Sequence, residues 1–261
     1  MQASIVCFLV VLQAAAKNES VETFKVNGTG RTAIVYANSE KAGKEGSPIV
    51  FVFHGHGGTA RRFVNRLKIH EQWPKAIVVY MQGLTGVVGI NDPKGKKTGW
   101  QKNPKDHDDR DIQFFDTALE QLSKKHKINA DRVYVMGHSN GSRFASVLWN
   151  QRGKKLAAVC TCAGQPGQLL KGAVPLSVFA IAGENDPIVP FEGQQKSIDG
   201  MRKLLATEEV KAKKAGLAKF EVNKDGLELA TYIHPGAHEF PVKAVPLIIE
   251  FFQRHERKVK T

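Results

Sequence analysis

The segment Gly137-His138-Ser139-Asn140-Gly141-Ser142 sets a serine between two glycines, after the apolar run Arg132–Gly137 and ahead of an amphipathic stretch. Strand, Gly-x-Ser-x-Gly, helix is the context of a nucleophile elbow, a sharp turn that forces the serine hydroxyl into an exposed, strained position. Serine alone is a poor nucleophile and needs a base, itself oriented by a carboxylate. In this architecture the partners follow in the order serine, acid, histidine. Downstream of Ser139 the run Leu176–Ala182 leads into Gly183-Glu184-Asn185-Asp186-Pro187-Ile188-Val189-Pro190. Asp186 is the expected acid, favoured by the Pro-Ile-Val-Pro that follows it, and Glu184 is its rival two residues earlier. The histidines beyond are His234, His238 and His255. His255 falls in the last helix near a basic tail and reads as solvated. His234 ends a strand, where a structural role is the simpler reading. His238, in the turn after Pro235-Gly236-Ala237, is the expected base.

A tetrahedral intermediate requires preorganised N–H donors. One expected donor is the backbone N–H of Asn140, directly after the serine. The other is expected from His54-Gly55-His56-Gly57-Gly58, which follows the apolar run Ile49–Phe53. Trp100, at the end of a glycine- and lysine-rich loop, has two readings: an indole stacking on an aryl or sugar ring, or a loop anchor tucked into the core. The histidine-rich stretches do not read as a metal site, because Pro-Gly breaks the 234–238 pair and no HExxH helix is present. The cluster Asp106–Asp111 reads as a helix start on a solvated face. No metal or cofactor is expected.

These residues need a scaffold, and the hydrophobic pattern describes one. Strands are expected at Glu22–Val26, Arg31–Tyr36, Ile49–His54, Ala76–Met81, Arg132–Gly137, Ala157–Ala163, Leu176–Ala182 and Glu228–His234. The first two, joined through Asn27-Gly28, form an antiparallel hairpin. The later runs are rich in Val, Ile and Ala, as in parallel strands covered on both faces. Helices are expected at Asp111–His126, Ser142–Gln151, Gln194–Ala206 and Ala244–Arg257. Alternation of strand and helix describes one doubly wound α/β domain over residues 17–261, with a mostly parallel sheet. The link between Ala163 and Leu176 is too short for a cap domain. Residues 82–109 form a long loop at the C-terminal end of a strand, where open α/β sheets place ligands.

At 261 residues, 42% hydrophobic and 24% charged, the chain fits neither a disordered nor a fibrous class. Its net charge of +13 favours anionic partners, although a solvated lysine-rich surface gives the same number. The apolar run Ile5–Leu12 followed by Ala14-Ala15-Ala16 reads as a signal peptide over residues 1–16, too short to span a bilayer. The expected location is secreted or periplasmic, with no stable membrane insertion. Of three cysteines, Cys160 and Cys162 share one strand face and read as buried thiols.

The HGHGG, Gln82-Gly83, Thr98-Gly99-Trp100, GHSNGS, Asp186-Pro-Ile-Val-Pro and Gly-Ala-His-Glu-Phe-Pro segments occur in an order that resembles one group of enzymes. It is the secreted polyhydroxybutyrate depolymerase and feruloyl or acetylxylan esterase group of α/β-hydrolases. The resemblance spans about Phe24 to Phe252. It implies Ser139, Asp186 and His238 as triad, with oxyanion N–H groups from His56 and Asn140. Many members of that group carry cysteine where this chain has His56 and Gly99, so their disulfide is absent here. The resemblance implies hydrolysis of feruloyl or acetyl esters on polysaccharide, with polyhydroxybutyrate as the alternative polymer. The expected partner is a bulky or polymeric ester, including anionic polysaccharide. A non-catalytic polysaccharide- or wall-binding protein is the competing class, favoured only by the charge. Nucleic acid is not an expected partner, because no recognition motif accompanies the charge.

Overall fold

In the computed structural model, which describes residues 18–89, 92–207 and 213–257, the apolar runs are strands and the amphipathic stretches helices. The expected signal segment, residues 1–16, lies outside the described residues, as does Cys7. In chain order the elements are β1 (Glu19–Val26), β2 (Thr29–Tyr36), β3 (Ser47–Phe53), α1 (Ala60–Leu67), α2 (Ile69–Gln72) and β4 (Ile77–Met81). Then come β5 (Leu84–Thr85), β6 (Thr98–Gly99), α3 (Arg110–Lys125), β7 (Ile128–His138), α4 (Asn140–Arg152), β8 (Ala158–Cys162) and β9 (Ser177–Gly183). The chain continues through α5 (Phe191–Leu205), β10 (Lys213–Ala215), β11 (Ala218–Val222), β12 (Glu228–His234) and α6 (Val245–Gln253).

Ten strands form one sheet in the order β1-β2-β4-β3-β7-β8-β9-β12-β11-β10. The six from β4 to β12 are mutually parallel, while β1-β2-β4 and β12-β11-β10 pair antiparallel at the two edges. In β3, Ile49, Phe51 and Phe53 face one core with α3, α4 and α5. Val50 and Val52 face the other with α1 and α6. Burial on both faces explains why these strands are apolar throughout rather than alternating. After β3 the chain crosses to β4 on one side, and after β7 it proceeds to β8 on the other. The crevice between the C-terminal ends of β3 and β7 is therefore a topological switch point, where such sheets open a ligand site. Among the described residues no helix is long and apolar enough to cross a membrane.

Several expectations are revised. The β3–β4 connection contains α1 and α2, which were not among the expected helices. The edge hairpin β10–β11 was not foreseen, since Lys213-Lys214-Ala215 and Ala218-Lys219-Phe220 lack an alternating apolar pattern. The last helix stops at Gln253, four residues before Arg257. Between β8 and β9 lies only a short 3-10 turn, Gly167–Leu170, and no cap. Asp111 does not sit on a solvated face. It is fully buried, because Arg31 of β2 reaches it at 2.7 Å and its other oxygen accepts the N–H of Gln101 at 2.8 Å.

Candidate active site

Strand β7 delivers Ser139 into the switch-point crevice at φ 55° and ψ −118°, a conformation that L-residues avoid. The surrounding packing enforces it. A Cβ at Gly137 would overlap the Gly141 carbonyl, and one at Gly141 would overlap the Phe53 carbonyl of β3. Only glycine lets the strand, the turn and the start of α4 approach this closely. The Ser139 N–H is held by the Cys162 carbonyl of β8 at 2.8 Å, so the turn is pinned from both neighbouring strands.

Asp186 leaves the end of β9 and His238 the loop after β12, two and three strands along the sheet from β7. Ser139 Oγ lies 2.8 Å from His238 Nε2, and His238 Nδ1 lies 2.8 Å from Asp186 Oδ2. A carboxylate can only accept, so Nδ1 carries the proton and Nε2 is left to accept from the serine hydroxyl. Burial alone would raise the Asp186 pKa. The Val189 N–H, the His238 imidazole and the Ile188 N–H outweigh burial and hold the carboxyl below its usual range. Gln194 of α5 adds a fourth donor at 3.1 Å, a partner that nothing in the local sequence announced.

The structure separates the rivals. Glu184 is exposed, and its backbone N–H donates to the His234 carbonyl at 2.9 Å. His234 is buried and accepts the Gly236 N–H at 3.1 Å, shaping the turn that carries His238. His255 is not solvated, since its Nε2 lies 3.2 Å from Glu228 and its Nδ1 donates to the Phe251 carbonyl. His138 packs behind His238, with ring centroids 4.9 Å apart, and burial lowers its pKa to about 3. It therefore stays neutral beside the candidate base.

The glycine-rich turn after β3 lies against the elbow, with Gly55 beside Ser139 and His138. Among the described residues no acceptor engages the N–H groups of His56 or Asn140. The first follows Gly55 in the turn after β3, and the second is at the positive end of α4. His54 holds the turn in place: its Nε2 accepts the Gly83 N–H at 3.0 Å, its Nδ1 donates to Gly55 O, and burial lowers its pKa to about 4.

Trp100 packs as the anchor reading expects, with its indole buried. Its side chain is fully enclosed, lies flat on Phe144 at 5.5 Å and donates Nε1–H to the His54 carbonyl at 2.8 Å. The Asn140 side chain secures the same segment, accepting the Trp100 N–H at 2.7 Å and donating to the carbonyls of Val88 and Trp100. The 82–109 loop is thus stitched to the elbow and to the turn after β3. Arg143, one helical turn past Ser139, extends the stitching by donating to Lys102, Asn103, Gln165 and Pro166. Its spacing from Ser139 gave no hint of that role.

No family model matches the chain. It is 28% identical over 159 residues to a putative esterase of Nocardia uniformis, an alignment covering 57% of this chain and 43% of that protein. It is 28% identical over 173 residues to a bifunctional acetylxylan esterase/xylanase of Neocallimastix patriciarum, covering 63% and 23% of the two chains. A probable feruloyl esterase C of Aspergillus clavatus is 24% identical over 178 residues, covering 68% and 62%. The chain thus spans less than two thirds of the length of each of these relatives. Among solved structures, an acetyl xylan esterase from Aspergillus awamori superposes with a TM-score of 0.66 at 14% identity, covering 90% of this chain and 99% of that one. A ferulic acid esterase superposes with a TM-score of 0.63 at 15% identity, covering 90% and 97%. At such identities the likeness is one of fold, and that fold is the α/β-hydrolase.

Proposed function

We propose that this chain is a serine carboxylic-ester hydrolase working through an acyl-enzyme. The observation that carries the reading is the unbroken relay of two 2.8 Å contacts from Ser139 through His238 to Asp186, built on a strained serine. Ser139 Oγ attacks the ester carbonyl as His238 Nε2 takes its proton. The N–H groups of His56 and Asn140 receive the developing oxyanion. The tetrahedral species collapses, His238 protonates the departing alkoxide, and the acyl group stays on Ser139. Water, deprotonated by His238, then attacks the acyl carbon and releases the acid. Asp186 holds the imidazole in the required tautomer and balances its charge when protonated.

The substrate reading is feruloyl or acetyl ester on polysaccharide. It is supported by the similarity to proteins named acetylxylan and feruloyl esterases. The short β8–β9 link also supports it, leaving the crevice open to a polymer. Lys94, Lys96 and Lys97 stand exposed on the 82–109 loop, and charge of that sign suits polysaccharides bearing carboxylates. A polyester such as polyhydroxybutyrate is the second reading, favoured by exposed Val87, Ile188 and Val242 on the three loops around the relay. The reading also has the chain exported by residues 1–16, which N-terminal sequencing of the mature protein checks.

The test is turnover of p-nitrophenyl acetate, methyl ferulate, acetylated xylan and polyhydroxybutyrate by the parent and by Ser139→Ala. Loss of several orders of magnitude in kcat, with labelling of Ser139 alone by a fluorophosphonate, is expected. Near-normal turnover by the alanine variant ends the proposal. Clearing of polyester granules without release of ferulate or acetate reverses the order of substrates.

A further inference from the structure

Helix α5 turns one stripe of side chains into the core, in which Ile198, Met201 and Leu205 are buried at the spacing of successive helical turns. The position that opens this stripe is Gln194. A hydrocarbon would complete the pattern there. The glutamine is buried as deeply as its apolar neighbours, at 2% exposure, and its Oε1 has no hydrogen-bond partner among the described residues. A buried carbonyl oxygen left unpaired costs stability, which an apolar side chain of the same length would avoid.

What the amide supplies is its nitrogen. Gln194 Nε2 lies 2.6 Å from the Val189 carbonyl and 3.1 Å from Asp186 Oδ2. Both partners only accept, so the nitrogen and not the oxygen must face them. The backbone N–H groups of Ile188 and Val189 also donate to Asp186, at 2.9 and 2.8 Å, but both go to Oδ1. They stand on the same loop as Asp186, so they fix one oxygen and leave the carboxylate free to pivot about it. Upstream, the N–H groups of Glu184 and Asn185 hold the loop to the His234 and Gly236 carbonyls, which places the backbone and not the carboxylate plane. Oδ2 is the oxygen that receives His238 Nδ1 at 2.8 Å. Apart from His238, Gln194 is the only hydrogen-bond donor to Oδ2 among the described residues, and it stands on a helix packed into the core.

We infer that Gln194 is a positioning residue for the relay, its amide fixing the direction in which Asp186 Oδ2 meets His238 Nδ1. The inference rests on the esterase reading and deepens it. The imidazole becomes charged only when it takes the proton of Ser139 or of water, and an oxygen aimed at Nδ1 stabilises that charge more than it stabilises the resting ring. Acylation and deacylation both pass through this imidazolium. A carboxylate that turns away therefore slows both steps, and the loss falls on kcat while KM is spared.

The test is Gln194→Met in the full chain, assayed on p-nitrophenyl acetate. Methionine keeps the length of the side chain and the buried stripe and removes the donor. Losing the acid of such a triad altogether costs about 10,000-fold in kcat, and a carboxylate that is merely loosened loses part of that, so a fall of roughly 5- to 30-fold at unchanged KM is expected. The same substitution is then made in an Asp186→Ala background, where no carboxylate remains to be aimed. There Gln194→Met should change neither the residual kcat nor the rate at which fluorophosphonate labels Ser139. An equal fall in both backgrounds means that Gln194 acts through the packing of α5, and the inference is overturned. Parental kcat in the single variant, or a change confined to KM, overturns it as well. If the parent neither hydrolyses p-nitrophenyl acetate nor is labelled by fluorophosphonate at Ser139, the esterase reading itself fails and takes this one with it.

Discussion

Replacing Trp100 by alanine separates a residue that builds the site from one that touches substrate. The indole is fully enclosed, stacked on Phe144 and edge-on to Phe53, and it satisfies the buried His54 carbonyl. Truncating a buried tryptophan costs about 3–5 kcal/mol. Part of that is the unpaired carbonyl, worth about 1–3 kcal/mol. Trp100→Phe keeps an aromatic ring here but removes the donor together with part of the indole, so its cost is an upper bound on the second contribution. A chain of this length loses about 2–4 °C in Tm per kcal/mol, so the alanine variant should melt roughly 6–20 °C below the parent. His54 and Asn140 both lean on this segment, so kcat should fall by a similar factor on p-nitrophenyl acetate and on methyl ferulate. Urea unfolding and steady-state kinetics on the two esters measure both effects. An alanine variant of parental stability, with a raised KM for methyl ferulate alone, would refute the anchor and restore the indole as a substrate contact.

Two further expectations follow from charge. Burial lowers the pKa of His54 to about 4 and of His138 to about 3 in the folded chain, so both are neutral there. In the unfolded chain both titrate near 6.5, and between that pH and about 4 the unfolded state binds more protons. Stability must therefore fall with pH across this window, by up to about 2.7 kcal/mol per pH unit for two protons. His138→Gln should lower the slope by up to one proton's share, about 1.4 kcal/mol per pH unit, in urea titrations at stepped pH, and a stability independent of pH from 7 to 5 contradicts the assignment. Lys97 drapes its stem along Gly57 in the turn after β3, with its side chain exposed. Lys97→Glu should lower kcat/KM on acetylated glucuronoxylan by roughly 3- to 30-fold at low salt, since a rim charge acts mainly through encounter. p-Nitrophenyl acetate should be unaffected, and an equal loss on both substrates would remove Lys97 from substrate recognition.

What the sequence made legible, and what it hid, divides along a physical line. Ser139, Asp186 and His238 each follow a parallel strand, β7, β9 and β12, within a handful of residues. The apolar run marks the strand, the glycines or prolines mark the turn, and strand order brings the three turns to one end of the sheet. Each could be found locally, and so could Glu184 and His234 as their rivals. Trp100 and Asp111 could not be placed this way. Asp111 is buried by Arg31, 80 residues away, and Trp100 by His54 and Asn140, at separations of 46 and 40. A charged or aromatic residue in a glycine- and lysine-rich loop looks solvated until the partner that encloses it is known. The same long-range stitching shapes the 82–109 loop, which walls the crevice beside the relay. Local pattern therefore reaches the residues proposed to carry the bond chemistry sooner than those that select the ester. Substrate choice is written in contacts between distant segments, and there the decisive measurement is on Lys97 rather than on the relay.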